Sequence, residues 1–187
     1  MTSAMGSCPP SNRRRPASHA VRLLAALAIC GAFAGSAEAG DGAALAAPFD
    51  LRADGALAAT RGSPLVVLFS LPECQYCAVV RRNYLAPLTR APRAADRLVV
   101  RELELTSTAT LAGFHGERTS GSLLAARYGL AVAPSVVMLD RDGKLLAAPL
   151  LGGDVAGMYG AYLDRALDEA RAKLAGAATA RSTDPQP

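Results

Sequence analysis

Two cysteines separated by two residues are the side chains in this sequence best suited to chemistry. They form the segment Cys74-Gln75-Tyr76-Cys77, and a cysteine thiolate is both a nucleophile and a metal ligand. In such a pair, one thiolate can attack a partner's disulfide and the second cysteine can resolve the mixed disulfide that forms. The same spacing occurs in zinc sites, copper carriers and haem attachment sites, so the surrounding sequence must distinguish these chemistries.

The secondary structure predicted around this pair favours thiol chemistry. Residues 65–71 form an apolar run of strand length, which predicts a strand covered on both faces. After a two-residue break, residues 74–88 have helical character until Pro87, which kinks or ends the helix. Cys74 is therefore predicted at a helix N-terminus, where unpaired backbone N–H groups and the helix dipole favour an anion and lower the thiol pKa.

This position makes Cys74 the predicted nucleophile. Cys77 lies one turn along the same side of the helix, where it can resolve the mixed disulfide. A structural zinc site needs about four ligands, and outside the first 39 residues the sequence adds only His115, in a polar loop. Ala78 follows Cys77, so the CxxCH haem pattern is absent. A purely structural bridge would close a very short loop and stabilise little. Copper(I) binding by the two thiolates is the open alternative.

The first 39 residues have the features of an export signal. Four arginines precede or begin a short apolar run over residues 23–34, and a small-residue cleavage site ends at Ala39. The apolar run is short for a membrane span, so a retained N-terminal anchor is the less favoured alternative. We predict a signal peptide over residues 1–39 and a periplasmic location. Cleavage of the signal peptide would remove Cys8 and Cys30, so Cys74 and Cys77 would be the two cysteines of the mature chain.

Charge and composition argue against a nucleic-acid-binding surface. The formal net charge is +4, but four of the basic residues lie in the predicted signal peptide. The rest of the chain carries 16 Lys and Arg against 15 Asp and Glu. The sequence has no Trp and few Phe and Tyr residues, which leaves little for a base-stacking surface. We therefore expect no nucleic-acid partner.

The remaining pattern predicts one α/β domain over residues 50–174, with a flexible extension over 40–49 and a disordered tail over 175–187. Besides the first strand and the cysteine-bearing helix, its predicted elements are helices over 50–59, 120–128 and 154–174 and strands over 98–105, 136–139 and 144–151. The crossover makes the first two strands parallel, and the turn at 140–143 makes the last two antiparallel. We therefore predict a mixed sheet of about four strands with helices on both faces.

The sequence resembles the thioredoxin superfamily over about residues 50–174. The resemblance rests on the buried strand, the CxxC helix start, the proline within that helix, and Val132-Ala133-Pro134-Ser135 before the third predicted strand. It implies a thioredoxin-like fold and a thiol:disulfide oxidoreductase. It also implies that the Ala133–Pro134 bond is cis, lies beside the cysteines and aligns a substrate chain by backbone hydrogen bonds. An ordinary proline leading a strand is the alternative for Pro134.

Several positions depart from thioredoxin itself. Glu73 stands where thioredoxin has Trp, and Gln75-Tyr76 looks more like the Tyr-containing pairs of glutaredoxins and disulfide isomerases. The predicted strand over residues 65–71 has no acidic residue, whereas thioredoxin buries an aspartate there that assists proton transfer from the resolving thiol. The leader and the Tyr-containing motif together resemble exported bacterial thioredoxin-like proteins.

We therefore predict Cys74 and Cys77 as the catalytic residues. The residues predicted to contact the substrate are Pro134, Ala133, Tyr76 and Gln75. We expect protein disulfides or thiols as substrates, no cofactor or bound metal, a membrane-bound electron donor, and a monomer. The resemblance, and the lack of an obvious substrate-binding insertion, favour reduction over oxidation, and the reduction potential decides the direction. A copper chaperone using the same thiolates and a redox-inert interaction domain are the alternatives from other classes.

Overall fold

The computed structural model describes residues 44–93 and 96–182. The predicted signal peptide, residues 40–43 and the last five residues of the predicted tail lie outside these ranges. Within the described ranges, no helix combines the length and the apolar character needed to cross a membrane.

The described residues alternate between helices and strands along the chain. In order, they form α1 (Leu51–Thr60), β1 (Leu65–Ser70), α2 (Gln75–Val80), a π-helical turn (Arg81–Leu85), α3 (Ala86–Thr89), β2 (Val99–Glu104), β3 (Leu111–Ala112), β4 (Arg118–Thr119), α4 (Gly121–Arg127), β5 (Ser135–Leu139), β6 (Leu150–Leu151) and α5 (Tyr159–Ser182). The main sheet has the order β2-β1-β5-β6. β1 is parallel to β2 and antiparallel to β5, and β5 is antiparallel to β6. The predicted mixed α/β sheet is confirmed.

β1 lies inside the sheet and is covered on both faces. Val66 and Leu68 pack in an apolar cluster with residues of α5 and the cysteine-bearing helix, whereas Val67 and Phe69 pack in a second cluster with residues of α1 and α4. Successive side chains of a strand point to opposite faces, so both sets must be apolar when both faces are covered. This arrangement explains the continuous apolar run of the sequence.

Two helices begin at side-chain caps. One carboxylate oxygen of Asp50 accepts hydrogen bonds from the N–H groups of Arg52 at 2.9 Å and Ala53 at 3.1 Å, at the start of α1. The hydroxyl of Ser120 accepts from the N–H of Leu123 at 3.3 Å, at the start of α4. Each cap satisfies N–H groups that have no partner within the helix.

The cysteine-bearing helix widens before its proline. α2, the π-helical turn and α3 follow one another directly, and α3 ends at Thr89, shortly after Pro87. In a regular α-helix, Pro87 would clash with the carbonyl of Asn83. Directly before the proline, the N–H of Ala86 bonds to the carbonyl of Arg81, which is the i→i+5 pattern of a π-helix. Pro87, which was predicted to kink or end the helix, is therefore preceded by a local widening and followed closely by the helix end.

The predicted fourth strand over residues 144–151 is mostly irregular. Only Leu150–Leu151 forms strand β6, and Leu145 makes a single antiparallel bridge to Leu139. Between them, Pro149 has no N–H to donate to a ladder, and neighbouring side chains turn into the core instead of continuing along the edge. The antiparallel direction of the hairpin is as predicted, but the predicted length of the strand was wrong, because the strand is much shorter.

The last helix also differs from its predicted range of 154–174. α5 begins at Tyr159 and ends at Ser182, so an Ala-rich part of the predicted tail is helical, as its composition favours. Met158 and Tyr162, whose spacing along the sequence suits one buried helix face, are each 51% exposed. Leu163 and Leu167 have the same spacing and are buried, together with Ala166 and Ala170.

Two segments predicted as extension or loop make backbone contacts with the domain. In the predicted N-terminal extension, the carbonyl of Ala46 accepts from the N–H of Glu102 in β2 at 3.1 Å, and Leu45 packs against the core. The predicted polar loop over residues 106–119 contains the antiparallel pair β3 and β4. The N–H of Ala112 in β3 donates to the carbonyl of Phe49 at 3.2 Å.

We expect Leu68→Ala to reduce the free energy of unfolding by about 2–5 kcal/mol, because it removes buried methyl groups and leaves a cavity. Leu68 is 0% exposed, whereas Leu123 is 61% exposed. The matched Leu123→Ala variant should therefore change stability by no more than about 0.5 kcal/mol. Urea denaturation followed by circular dichroism measures both. Equal losses in the two variants would contradict this placement of the core.

Candidate active site

Cys74 and Cys77 lie at the start of α2, directly after β1 and its connecting turn. They are joined by a disulfide, with their Cα atoms 5.2 Å apart. Cys74 is the N-cap residue, and its Sγ accepts a hydrogen bond from the N–H of Cys77 at 3.1 Å. Cys74 is partly exposed, whereas Cys77 is 0% exposed. A partner's sulfur can therefore approach Cys74, and Cys77 lies behind it in the domain.

The N-cap position favours negative charge on the sulfur of Cys74. A backbone N–H that donates to sulfur stabilises a thiolate more than a neutral thiol, because the hydrogen bond is stronger to a charged acceptor. The dipole of the helix adds a partial positive charge at the same end. This geometry is the local arrangement that the sequence predicted for a nucleophilic cysteine.

The turn between β1 and α2 has an unusual backbone conformation. Glu73 has a φ of 55°, in the left-handed region that residues other than glycine rarely adopt. Such residues cluster at functional sites, where the surrounding structure holds them in place. The sequence identified Pro72 and Glu73 as the entry to the helix, but nothing in a single sequence indicated this conformation.

Ala133 and Pro134 lead directly into β5, and the peptide bond between them is cis. The cis bond implied by the resemblance is therefore confirmed. Ser135, the next residue, pairs with Phe69 in β1, so the register brings this segment to the strand end that leads to the cysteines. The carbonyl of Pro134 accepts from the N–H of Gly152 at 2.8 Å, which ties the segment to the chain after β6.

Gln75 and Tyr76, the residues between the cysteines, are both exposed. Tyr76 is 60% exposed, and its side chain packs against Gly153, where an added Cβ would lie only 2.9 Å from the Cβ of Tyr76. Contact with a partner is therefore sterically open to both side chains, as their predicted role requires.

A comparison with protein-family models matches residues 51–166 to a thioredoxin-like domain. The match covers more than half of the chain and includes both cysteines and the cis-proline segment. The chain belongs to the thioredoxin-like family. A comparison with curated proteins found no match. Membership in this family, together with the CxxC pair, supports a thiol:disulfide oxidoreductase in general.

On one side of Cys74, the thioredoxin-like domain has a groove of about 480 Å³ whose lining includes charged side chains. Glu102 lines it and forms a two-pronged ion pair with Arg81, in which Arg81 Nε lies 2.6 Å from Oε2. Glu102 pairs in register with Leu68 of β1. β1 has no acidic residue, but its neighbour β2 therefore has one beside Leu68. Sequence reasoning missed this pair, although Glu102 and Glu104 at alternate positions predict that both share one face of a strand.

Beyond Tyr76, the thioredoxin-like domain has a second groove of about 350 Å³ that is mainly apolar. Leu151, Val155 and Met158 line it and are 61%, 87% and 51% exposed. Sequence reasoning missed this groove because it placed residues 154–158 in the first turns of the last helix. In the structure these residues form a loop that ends at Tyr159.

The described residues hold no group of three or more His, Cys, Asp or Glu side chains that could bind a metal ion. His115, the histidine considered as a further ligand, is exposed between β3 and β4, where its backbone N–H donates to Glu117 Oε2 at 2.8 Å. The structure therefore does not bring His115 together with the cysteines in the way a zinc site would need.

We expect Gly153→Ala to destabilise the domain by about 1–3 kcal/mol, because the added methyl group overlaps the stem of Tyr76 and forces a shift. The new Cβ would lie 2.9 Å from the Cβ and 3.0 Å from the Cδ1 of Tyr76. The control is Gly176→Ala in α5, where an added Cβ has no neighbour within 4 Å. That variant should be neutral or stabilising by up to about 1 kcal/mol. Thermal unfolding compares them, and a neutral Gly153→Ala would argue against the packing of Tyr76 on this glycine.

Proposed function

We propose that this protein is an exported thiol:disulfide oxidoreductase that reduces disulfides of partner proteins through a Cys74/Cys77 cycle. The observation that carries the proposal is the asymmetry of the pair. Cys74 is partly exposed and accepts an N–H hydrogen bond at a helix start, while Cys77 is fully buried behind it. An attacking sulfur must be accessible and charged, and a resolving sulfur needs only to reach the first one.

In the proposed reduction, the Cys74 thiolate attacks one sulfur of the partner's disulfide. A bond forms between Cys74 and that sulfur, and the partner's other sulfur leaves as a thiolate that takes up a proton. Cys77 then loses its proton and attacks Cys74 Sγ, which releases the partner's remaining thiolate. The partner gains two electrons and two protons, and the domain is left with the intramolecular disulfide.

The proposed substrate contacts are Gln75 and Tyr76 on the helix and Ala133 and Pro134 at the start of β5. The exposure of Gln75 and Tyr76 beside Cys74 supports their part in the proposal. The register between β1 and β5 supports the other two, because it brings their segment to the same end of the sheet. A substrate chain in this position would be aligned by backbone hydrogen bonds.

Export to the periplasm is the part of the proposal that rests on the sequence of residues 1–39. A reductase outside the cytosol gives two electrons to each substrate. It therefore needs a donor that reduces it again with electrons from inside the cell. We therefore include a membrane-bound electron donor in the proposal, and a monomeric domain that engages donor and substrates in turn through Cys74.

We expect Cys74→Ser to abolish reduction of insulin disulfides by the purified protein, because serine cannot form the mixed disulfide. Cys77→Ser should instead accumulate a covalent adduct, since the resolving sulfur is missing while the attacking one remains. Non-reducing gel electrophoresis and mass spectrometry detect the adduct, and the variant lacking both cysteines is the control. Activity that survives Cys74→Ser, or a Cys77→Ser variant that never traps a partner, would sink the proposed cycle.

We expect the reduction potential of the pair to lie near that of thioredoxin, about −270 mV, when it is equilibrated against glutathione buffers. A value near about −120 mV would make the domain an oxidant of partner thiols. That result would keep the cysteine cycle but reverse the proposed direction.

Copper(I) carriage by the same two thiolates is the competing function, since soft thiolate ligands favour this ion. Titration of the reduced protein with Cu(I) against a competing chelator separates the two proposals. A tight site that disappears in both single cysteine variants, without disulfide reductase activity in the wild type, would favour the carrier.

A further inference from the structure

The loop over residues 152–158 connects β6 to α5 and forms one wall of the apolar groove. At its beginning, the N–H of Gly152 donates to the carbonyl of Pro134 at 2.8 Å. Gly153 then packs against Tyr76, and the side chains of Val155 and Met158 are exposed along the groove. The position of this loop therefore decides the shape of the surface next to the cysteine pair.

The carboxylate of Asp154 joins this loop to the cysteine-bearing helix by a hydrogen bond. Asp154 Oδ2 accepts a hydrogen bond from the hydroxyl of Tyr84, which lies in the π-helical turn. Asp154 Oδ1 accepts from the N–H of Tyr159 at 3.4 Å, at the start of α5. The side chain of Asp154 thus joins the loop, the helix that carries both cysteines and the last helix.

Only one of the two tyrosines beside Asp154 supplies the hydroxyl that holds it. The rings of Tyr84 and Tyr159 pack together with their centroids 5.0 Å apart. Within the described residues, the buried hydroxyl of Tyr159 has no hydrogen-bond partner, whereas that of Tyr84 donates to Asp154. Replacing Tyr84 with Phe therefore removes this attachment and preserves the ring contact.

The electrostatics of the pair agree with a bond that persists at neutral pH. The hydrogen bond from Tyr84 is the main cause that lowers the pKa of Asp154, and backbone N–H groups at residues 157–159 lower it further. The same bond raises the pKa of the Tyr84 hydroxyl. Aspartate is therefore ionised and tyrosine protonated, which is the state in which the hydroxyl donates to a charged acceptor.

We propose that Tyr84 and Asp154 are positioning residues for substrate recognition. They hold loop 152–158 against the cysteine-bearing helix, so that the apolar groove is preformed for a protein partner with apolar side chains beside its disulfide. The contact of Gly153 with Tyr76 and the hydrogen bond from Gly152 to the carbonyl of Pro134 support this occupant, because they join the loop to both segments of the proposed substrate contacts. The inference rests on the proposed function, since it concerns the partners of that pair.

The test uses the full protein and two synthetic disulfide-linked peptides that differ only in having leucines or serines beside the disulfide. For Tyr84→Phe, we expect the KM for the leucine peptide to rise about five- to tenfold, with kcat within about twofold, because a preformed surface is lost while the sulfur chemistry is intact. The KM for the serine peptide and the reduction potential should not change. Unchanged KM values for both peptides would overturn the inference.

Conservative variants test the hydrogen bond itself. Asp154→Ala should match Tyr84→Phe, while Asp154→Asn, which keeps an acceptor oxygen, should have a smaller effect. The Tyr84→Phe/Asp154→Ala double variant should be no worse than either single change, because both remove the same interaction. Additive losses in the double variant would contradict a shared role.

Tyr128→Phe is the matched control for loss of a tyrosine hydroxyl. The hydroxyl of Tyr128 donates to the carbonyl of Gly143 at 2.9 Å, and its ring packs against the other apolar cluster. This variant should leave the KM of both peptides unchanged even where its loss of stability equals that of Tyr84→Phe. A KM rise in Tyr128→Phe equal to that in Tyr84→Phe would show that general destabilisation is the cause, and would overturn the inference.

Two further readouts separate this inference from the proposed function. In Tyr84→Phe, NMR titration should show the pKa of the Asp154 carboxyl rising towards its ordinary value, and amides of residues 153–158 should exchange faster with solvent. A wild-type protein that reduces neither peptide contradicts the proposed function. A wild type that reduces both, with loop exchange and KM unaltered in Tyr84→Phe, contradicts only the role given to Tyr84 and Asp154.

Discussion

The burial of β1 on both faces is the constraint on which the rest of this structure depends. Its side chains belong to two apolar clusters, so the strand cannot slip by one residue without reversing both faces. The end of β1 is thereby fixed, and with it the point where Cys74 begins the next helix. The neighbouring strands acquire their registers from the same strand. One register brings Glu102 beside Leu68, and another brings the cis-proline segment to the cysteine end of the sheet.

The two cysteines differ in their exposure to solvent. A helix that starts at Cys74 turns Cys77 into the core one turn later, so the exposed sulfur and the buried sulfur follow from one helical repeat. The two grooves near the cysteine pair then differ in the side chains that line them. One carries the Arg81–Glu102 ion pair, and the other presents Leu151, Val155 and Met158 to solvent. The exposed sulfur of Cys74 therefore lines a groove with charged side chains, and the apolar groove lies beyond Tyr76.

The two halves of the domain contribute differently to this arrangement. The segment from β1 to the end of the cysteine-bearing helix provides the sulfurs and the helix start that stabilises a thiolate. The segment from β5 to α5 provides the cis-proline bond and the loop that borders the apolar groove. Tyr84 and Asp154 connect the two segments through one hydrogen bond. The cysteines therefore come from one segment, whereas the proposed recognition draws on both segments, which meet only in the folded domain.

Local patterns in the sequence predicted the features that short segments determine by themselves: the apolar run of β1, the cysteine pair at a helix start, and the mixture of parallel and antiparallel strands. The cis bond followed from the family resemblance. The predicted start of α5 was too early because Met158 and Tyr162, which are exposed, have the same spacing as buried residues. The predicted fourth strand was too long, and neither groove was predicted. Only the tertiary structure decided that Glu102 adjoins Leu68 and that Tyr84 meets Asp154. Those contacts join residues far apart in the chain, and they depend on strand register and helix packing that no local pattern records.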